Sequence, residues 1–127
     1  MSHLDKVKLR RRRARGFLAR ALDSVRSGDY DLAAFISERT VQLHFKSILL
    51  AKVGDYHRTH SITLLISILK KVCGEDYIKF FEGWESEISL MEDAYIASRY
   101  LVREFSREEA ERPINFAKEV LKLGEVS

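Results

Sequence analysis

The spacing of apolar residues in the second half of the chain restricts the fold more than any other feature. Intervals of three and four residues separate the members of this stripe, which are Trp84, Ile88, Met91, Tyr95, Ser98, Val102 and Phe105. An α-helix brings such positions onto one face, whereas a strand would require alternation at every second residue. The chain contains one proline, Pro113, and has no alternating β-branched runs. These patterns predict an all-α protein.

Glycines and capping residues predict where the helices begin and end. The first two predicted helices cover 2–27 and 31–53, and Asp29 is the N-cap of the second. A third helix begins at Thr59 or Ser61 and ends at Gly74, and a short helix over 75–81 follows it. A fourth main helix covers 85–104, and the capping box of Ser106 and Glu109 begins the last helix. Leu4 and Val72 are among the predicted core residues. The second helix is apolar on more than one face, so we expect it at the centre. The chain is predicted to form a single domain over 1–127, an up-and-down four-helix bundle with an additional short helix.

Composition narrows the classes of function. One cysteine, Cys73, excludes an internal disulfide and a thiolate metal cluster, and no other metal-ligand or cofactor motif is present, so we expect neither a metal nor a cofactor. The sequence has no apolar stretch of membrane-spanning length and no secretory signal, which predicts a cytoplasmic protein without a membrane partner. Charged residues make up 32% of the chain, with one Gln and one Asn, and this composition resembles that of thermophile proteins.

Positive charge is concentrated at the start of the chain. Residues 1–27 carry nine Lys and Arg against two Asp, a balance of +7, and the remaining residues carry thirteen against seventeen, a balance of −4. The run Arg10–Arg13 favours phosphate binding, because guanidinium groups make paired hydrogen bonds to phosphate. There are two alternatives to phosphate binding. In one, the run binds a membrane surface, and in the other it is a solvated helix end that pairs with acids of the body, for instance Glu85, Glu87, Glu108, Glu109 and Glu111. Arg11 falls in the apolar seam of its helix, where we expect it to pair with a buried acid or a twofold mate; the alternative is that its guanidinium group extends to solvent.

Five segments in order resemble the HEPN domain, the higher eukaryote and prokaryote nucleotide-binding domain. The segments are Asp29–Ala34, Gln42–Leu50 with Gln42 where the family usually has glutamate, Thr59–Ile62 with Leu64 and Leu65, Ala94–Tyr100 with Leu101 where proline is common, and Ser106–Ala110 with Ala117. The resemblance implies a four-helix bundle that is often a homodimer and works beside a minimal nucleotidyltransferase. It also implies a possible ribonuclease activity, because some members are RNA-cleaving toxins that use an Arg followed after four to six residues by His.

The toxin pair is incomplete in this sequence. Arg99 occupies the arginine position, but Glu104, Phe105 and Ser106 stand where the histidine is needed. Arg39 and His44 have the required spacing, yet on a helix their side chains point about 140° apart. We therefore expect a non-catalytic partner subunit that binds nucleotide or RNA phosphates.

The alternative is a metal-independent ribonuclease whose site is assembled across a dimer. Its weak catalytic candidates are His60, Arg99, Arg39 and His44. The phosphate-binding candidates are Arg10, Arg11, Arg12, Arg13, Arg99 and Arg103. Because Arg99 and Arg103 would repel each other one helical turn apart, we expect an anion or a carboxylate opposite them.

Overall fold

The computed structural model describes residues 2–100 and 103–124. Its helices are α1 (His3–Arg26), α2 (Tyr30–Val53), α3 (Ile62–Cys73), α4 (Glu75–Phe81), α5 (Glu85–Tyr100) and α6 (Arg107–Val120). Within these ranges there is no strand, which confirms the prediction of an all-α bundle with a short additional helix. None of the described helices combines the length and the apolar composition that a membrane crossing requires.

The predicted capping residues set the helix boundaries. The Asp29 side chain accepts a hydrogen bond from the Leu32 amide and begins α2. Ser61, one of the two predicted caps, begins α3 by accepting from the Leu64 amide. Ser106 and Glu109 form the predicted reciprocal capping box of α6. These local hydrogen bonds satisfy amides that have no partner within their own helix, which explains why the boundaries were predictable.

Helix α2 is the central helix, as its wide apolar surface predicted. It packs against α1, α3, α5 and α6. The main core cluster joins α2 to the other helices through large, fully buried side chains, among them Phe45, Ile48 and Leu49 of α2, Leu65 and Leu69 of α3, Met91 of α5 and Phe116 of α6. Burial of these side chains supplies most of the apolar stabilisation of the bundle.

Four details of the predicted helices and core are wrong. The fourth main helix was predicted to reach Glu104, but Arg103 and Glu104 are not helical, and Val102 lies outside the described residues. Leu4 is 58% exposed and Val72 is 39% exposed. Both lie in terminal turns, where neighbouring helices cover fewer sides. The buried positions of α5 are Leu90, Met91, Ala94 and Ala97, whereas Ser98 is exposed.

Candidate functional site

Three cationic side chains from different parts of the chain surround the ring of Tyr56. The guanidinium carbon of Arg58 lies 4.6 Å from the ring centroid, that of Arg10 lies 5.0 Å away, and Lys46 Nζ lies 5.8 Å away. Arg10 also donates a hydrogen bond of 2.9 Å to the Tyr56 hydroxyl. This hydrogen bond and the nearby positive charges lower the pKa of Tyr56. Tyr56 thus holds together cations of α1, α2 and the loop before α3.

A second aromatic group continues this surface toward α5. The His60 and Tyr95 rings stack with centroids 5.7 Å apart and planes inclined by 19°. Arg99 donates a hydrogen bond of 2.9 Å to the Tyr95 hydroxyl. Desolvation lowers the pKa of His60 most, and the charges of Lys46, Arg39 and Arg99 lower it further. The imidazole is therefore neutral at pH 7.

We name this surface the basic face, and define it by its cationic and aromatic members, which are Arg10, Arg39, Lys46, Tyr56, Arg58, His60, Tyr95 and Arg99. Its Lys and Arg residues form no ion pair with a carboxylate in the described part of the chain. Desolvation and the positive charge of Arg39 lower the pKa of Lys46, which shows that these cations disfavour one another. An external anion would relieve this repulsion.

The Gln42 side chain forms hydrogen bonds with two residues of the basic face and with a buried carboxyl group. Its Nε2 donates to Glu38 Oε2 at 2.5 Å and to the His60 carbonyl at 2.9 Å, and its Oε1 accepts from Lys46 Nζ at 3.5 Å. Glutamate, the usual residue of the family here, would direct acceptor oxygens at two other acceptors. The presence of Glu38 one turn earlier therefore explains why glutamine occupies position 42.

Glu38 is a buried carboxyl group directly beneath the basic face. It is 1% exposed, and within the described residues its Oε1 has no hydrogen-bond partner. Burial raises the pKa of Glu38 to about 7, although the Gln42 hydrogen bond and the charges of Arg39 and Lys46 oppose this shift. The group thus exchanges a proton near neutral pH.

The sequence contained a signal for Glu38 that our interpretation missed. Ala34, Glu38, Val41 and Phe45 follow one another at helical spacing, and all four are buried. A carboxyl group in such an apolar row is expected to lie in the core and to have a raised pKa. Tyr56 gave no comparable signal, because its cationic neighbours are distant in sequence.

One member of the arginine run, Arg10, contacts Tyr56 of the basic face. Arg12 and Arg13 are exposed on α1. Arg11 is half-buried, and its Nε donates to the Ser47 hydroxyl at 3.4 Å. Among the described residues no carboxylate forms an ion pair with it.

The predicted pairing of the run with acids of the body is wrong within the described residues. Glu87 pairs with Arg112, Glu109 with Arg103, and Glu111 with Arg107. These acids are therefore already occupied by cations of α6 and of the segment that precedes it.

The other candidate residues, Arg103, Arg99 and His44, lie in three different environments. Arg103 lies between Asp93 and Glu109, which confirms that carboxylates lie opposite it. Arg99 is on the basic face with Arg39 and His60. His44 is buried, and its Nε2 lies 2.7 Å from the Leu123 carbonyl oxygen.

The fold and this surface define an all-α bundle with a cationic, aromatic face. The HEPN domain matches residues 7–126, nearly the whole chain, and the protein therefore belongs to the HEPN domain family. Comparison with curated proteins gives no match.

The raised pKa of Glu38 predicts a specific pH dependence of stability. The folded state keeps the Glu38 proton up to about pH 7, whereas the unfolded chain releases it near the ordinary glutamate pKa of 4.5. The free energy of unfolding therefore falls as pH rises through this interval, by roughly 2–3 kcal/mol between about pH 5 and pH 8. Glu38→Gln should remove that fall in urea denaturation, because the neutral amide has no proton to release. Glu108→Gln, at an exposed site, is the matched control, and equal pH dependence in both variants would contradict the assignment.

Proposed function

We propose that this HEPN domain binds the phosphates of a nucleotide or of RNA on its basic face, as a non-catalytic subunit. The observation that carries the proposal is a set of five Arg and Lys side chains that share one surface and have no carboxylate partner in the described part of the chain. Phosphate oxygens accept paired hydrogen bonds from guanidinium groups, and binding also releases counterions.

Side-chain hydrogen bonds hold three cations of the basic face in place. Tyr56 holds Arg10 by a hydrogen bond, Tyr95 holds Arg99 in the same way, and Gln42 holds Lys46. Because these long cationic side chains are already restrained, they lose less conformational entropy when a ligand binds. The exposed His60 ring, stacked on Tyr95, offers a surface on which a nucleobase can stack.

The proposed assembly is a homodimer beside a minimal nucleotidyltransferase in the cytoplasm. The resemblance of the five sequence segments to the HEPN domain implies the dimer and the protein partner. Arg12 and Arg13 add exposed positive charge that attracts a polyanion over a longer range. Arg103 is not included in the proposed site, because Asp93 and Glu109 already neutralise it.

Substitutions in the basic face should weaken the binding of RNA whatever its nucleotide sequence. Lys46→Ala and Arg58→Ala should each raise the Kd of a labelled short RNA by about five- to thirtyfold and reduce the salt dependence by about one counterion. Fluorescence anisotropy at several salt concentrations measures both quantities. Lys118→Ala removes an exposed lysine of α6 and should leave the Kd unchanged. Equal Kd values for all three variants, or no binding by the unmodified protein at low salt, would contradict the proposal.

A ribonuclease is the second candidate function, and one observation favours it. Arg39, His60 and Arg99, three of the four candidate catalytic residues, lie on the basic face of a single protomer. A neutral His60 is able to accept the proton of an RNA 2′-hydroxyl as its oxygen attacks the phosphorus, and to return that proton to the 5′-oxygen as the bond from phosphorus to that oxygen breaks. The arginines would stabilise the charge that develops on the phosphate. This arrangement requires neither a metal nor residues of a second chain.

RNA cleavage in the presence of EDTA separates the two candidates. The non-catalytic proposal expects no cleavage by the purified protein. The ribonuclease expects cleavage that is lost in His60→Ala and in Arg99→Ala, because these variants remove the proton acceptor and a phosphate-stabilising charge. His57→Ala, in the same loop and exposed, is the control that should keep full activity. Cleavage that survives His60→Ala would argue against a site on the basic face.

A further inference from the structure

We propose that Glu38 makes anion binding on the basic face proton-linked, so that the domain binds phosphate groups most tightly when Glu38 is protonated. This inference rests on the proposed phosphate-binding function. It assigns a role to a side chain that does not touch the ligand and is only 1% exposed.

A single amide connects Glu38 to the surface. Gln42 Nε2 binds both Glu38 Oε2 and the His60 carbonyl, and Gln42 Oε1 binds Lys46 Nζ. The Glu38 carboxyl group therefore lies one side chain away from two members of the basic face. Because it is buried, its charge is screened by water much less than an exposed charge would be.

Charged groups on two helices act on Glu38. Arg39 and Lys46 on α2 favour its ionised form, whereas Glu92 on α5 disfavours it. Glu92 is held in place because its Oε1 accepts hydrogen bonds from the Thr63 amide and hydroxyl, at 3.1 and 2.9 Å. From the loop before α3, the group nearest in the hydrogen-bond network is the His60 carbonyl, and the His60 ring is neutral at pH 7.

A bound phosphate shifts the ionisation equilibrium of Glu38 toward the protonated form. Its negative charge engages Arg39 and Lys46, the two cations that stabilise ionised Glu38. Ionised Glu38 then loses their support and also repels the phosphate, so binding favours uptake of a proton. By thermodynamic reciprocity, protonation of Glu38 must strengthen binding by the same factor.

The pH window distinguishes Glu38 from His60. Protonation of either group adds to the positive potential of the basic face and strengthens anion binding. The His60 pKa is lowered from its ordinary value of 6.5, whereas Glu38 titrates at about 7. The part of the affinity loss above pH 6.5 that Glu38→Gln removes is therefore the part that Glu38 produces.

The test is the affinity for a labelled short RNA, measured by anisotropy at fixed ionic strength between about pH 6.5 and pH 8.5. The unmodified protein should lose about three- to tenfold in affinity across this range. Glu38→Gln should keep at pH 8.5 the affinity that the unmodified protein has at pH 6.5, because the amide is always neutral. Glu108→Gln is the matched control and should show the same loss as the unmodified protein. An equal loss of affinity in Glu38→Gln and Glu108→Gln would overturn the inference.

A spectroscopic measurement covers the case in which Glu38→Gln does not fold. Carbon-13 NMR of the unmodified protein should show the Glu38 carboxyl titrating at higher pH when the RNA is bound, and an unchanged titration would overturn the inference. The two proposals fail in different ways. Absence of RNA binding at every pH rejects the phosphate-binding function and the proton linkage together, whereas binding with unchanged Glu38 titration rejects the linkage alone.

Discussion

The burial of α2 by four other helices is the constraint on which the rest of the structure depends. A helix in this position needs apolar side chains on several faces, and Phe45, Ile48 and Leu49 fill the core that it shares with its neighbours. Polar groups on the same helix must find partners inside the protein. Ser37 and Thr40 bond to carbonyls of α2 itself, whereas Gln42 bonds to a carbonyl of the loop before α3. The packing of the central helix thereby positions the loop that carries His60.

Hydrogen bonds of Gln42 also connect the buried Glu38 carboxyl group to Lys46 of the basic face. Gln42 lies between a buried acid below and Lys46 above, and it supplies donors to Glu38 and an acceptor to Lys46. Near α6, carboxylates pair with several cations, as Arg103 and Arg112 illustrate. Five cations without a carboxylate partner among the described residues converge on Tyr56, His60 and Tyr95, and this convergence is the physical basis for proposing an anionic ligand. Family membership defines the fold, while these local contacts suggest where a ligand would bind.

The predictable part of this protein was the part determined by local interactions. Asp29, Ser61 and the Ser106–Glu109 box cap helices through residues three positions away, so the sequence alone located them. The missing histidine of the toxin pair was equally evident. The end of α5 was misjudged, because the apolar spacing continues to Phe105 after the helix has ended. That spacing cannot reveal that Arg103 turns back to bind Asp93 and Glu109. Members of the basic face such as Arg10 and Tyr56 are distant in sequence, and only tertiary packing brings them together.

The most direct measurement of the central claim is NMR chemical-shift mapping of the whole chain with a short RNA, with inorganic pyrophosphate as a competitor. Binding on the basic face predicts the largest shifts at Tyr56, Arg58, His60 and Tyr95, with reversal by pyrophosphate. The account would be contradicted by shifts confined to α6 or to the exposed Arg12 and Arg13 side of α1. It would also be contradicted if saturating RNA left the 56–60 segment and Tyr95 unchanged.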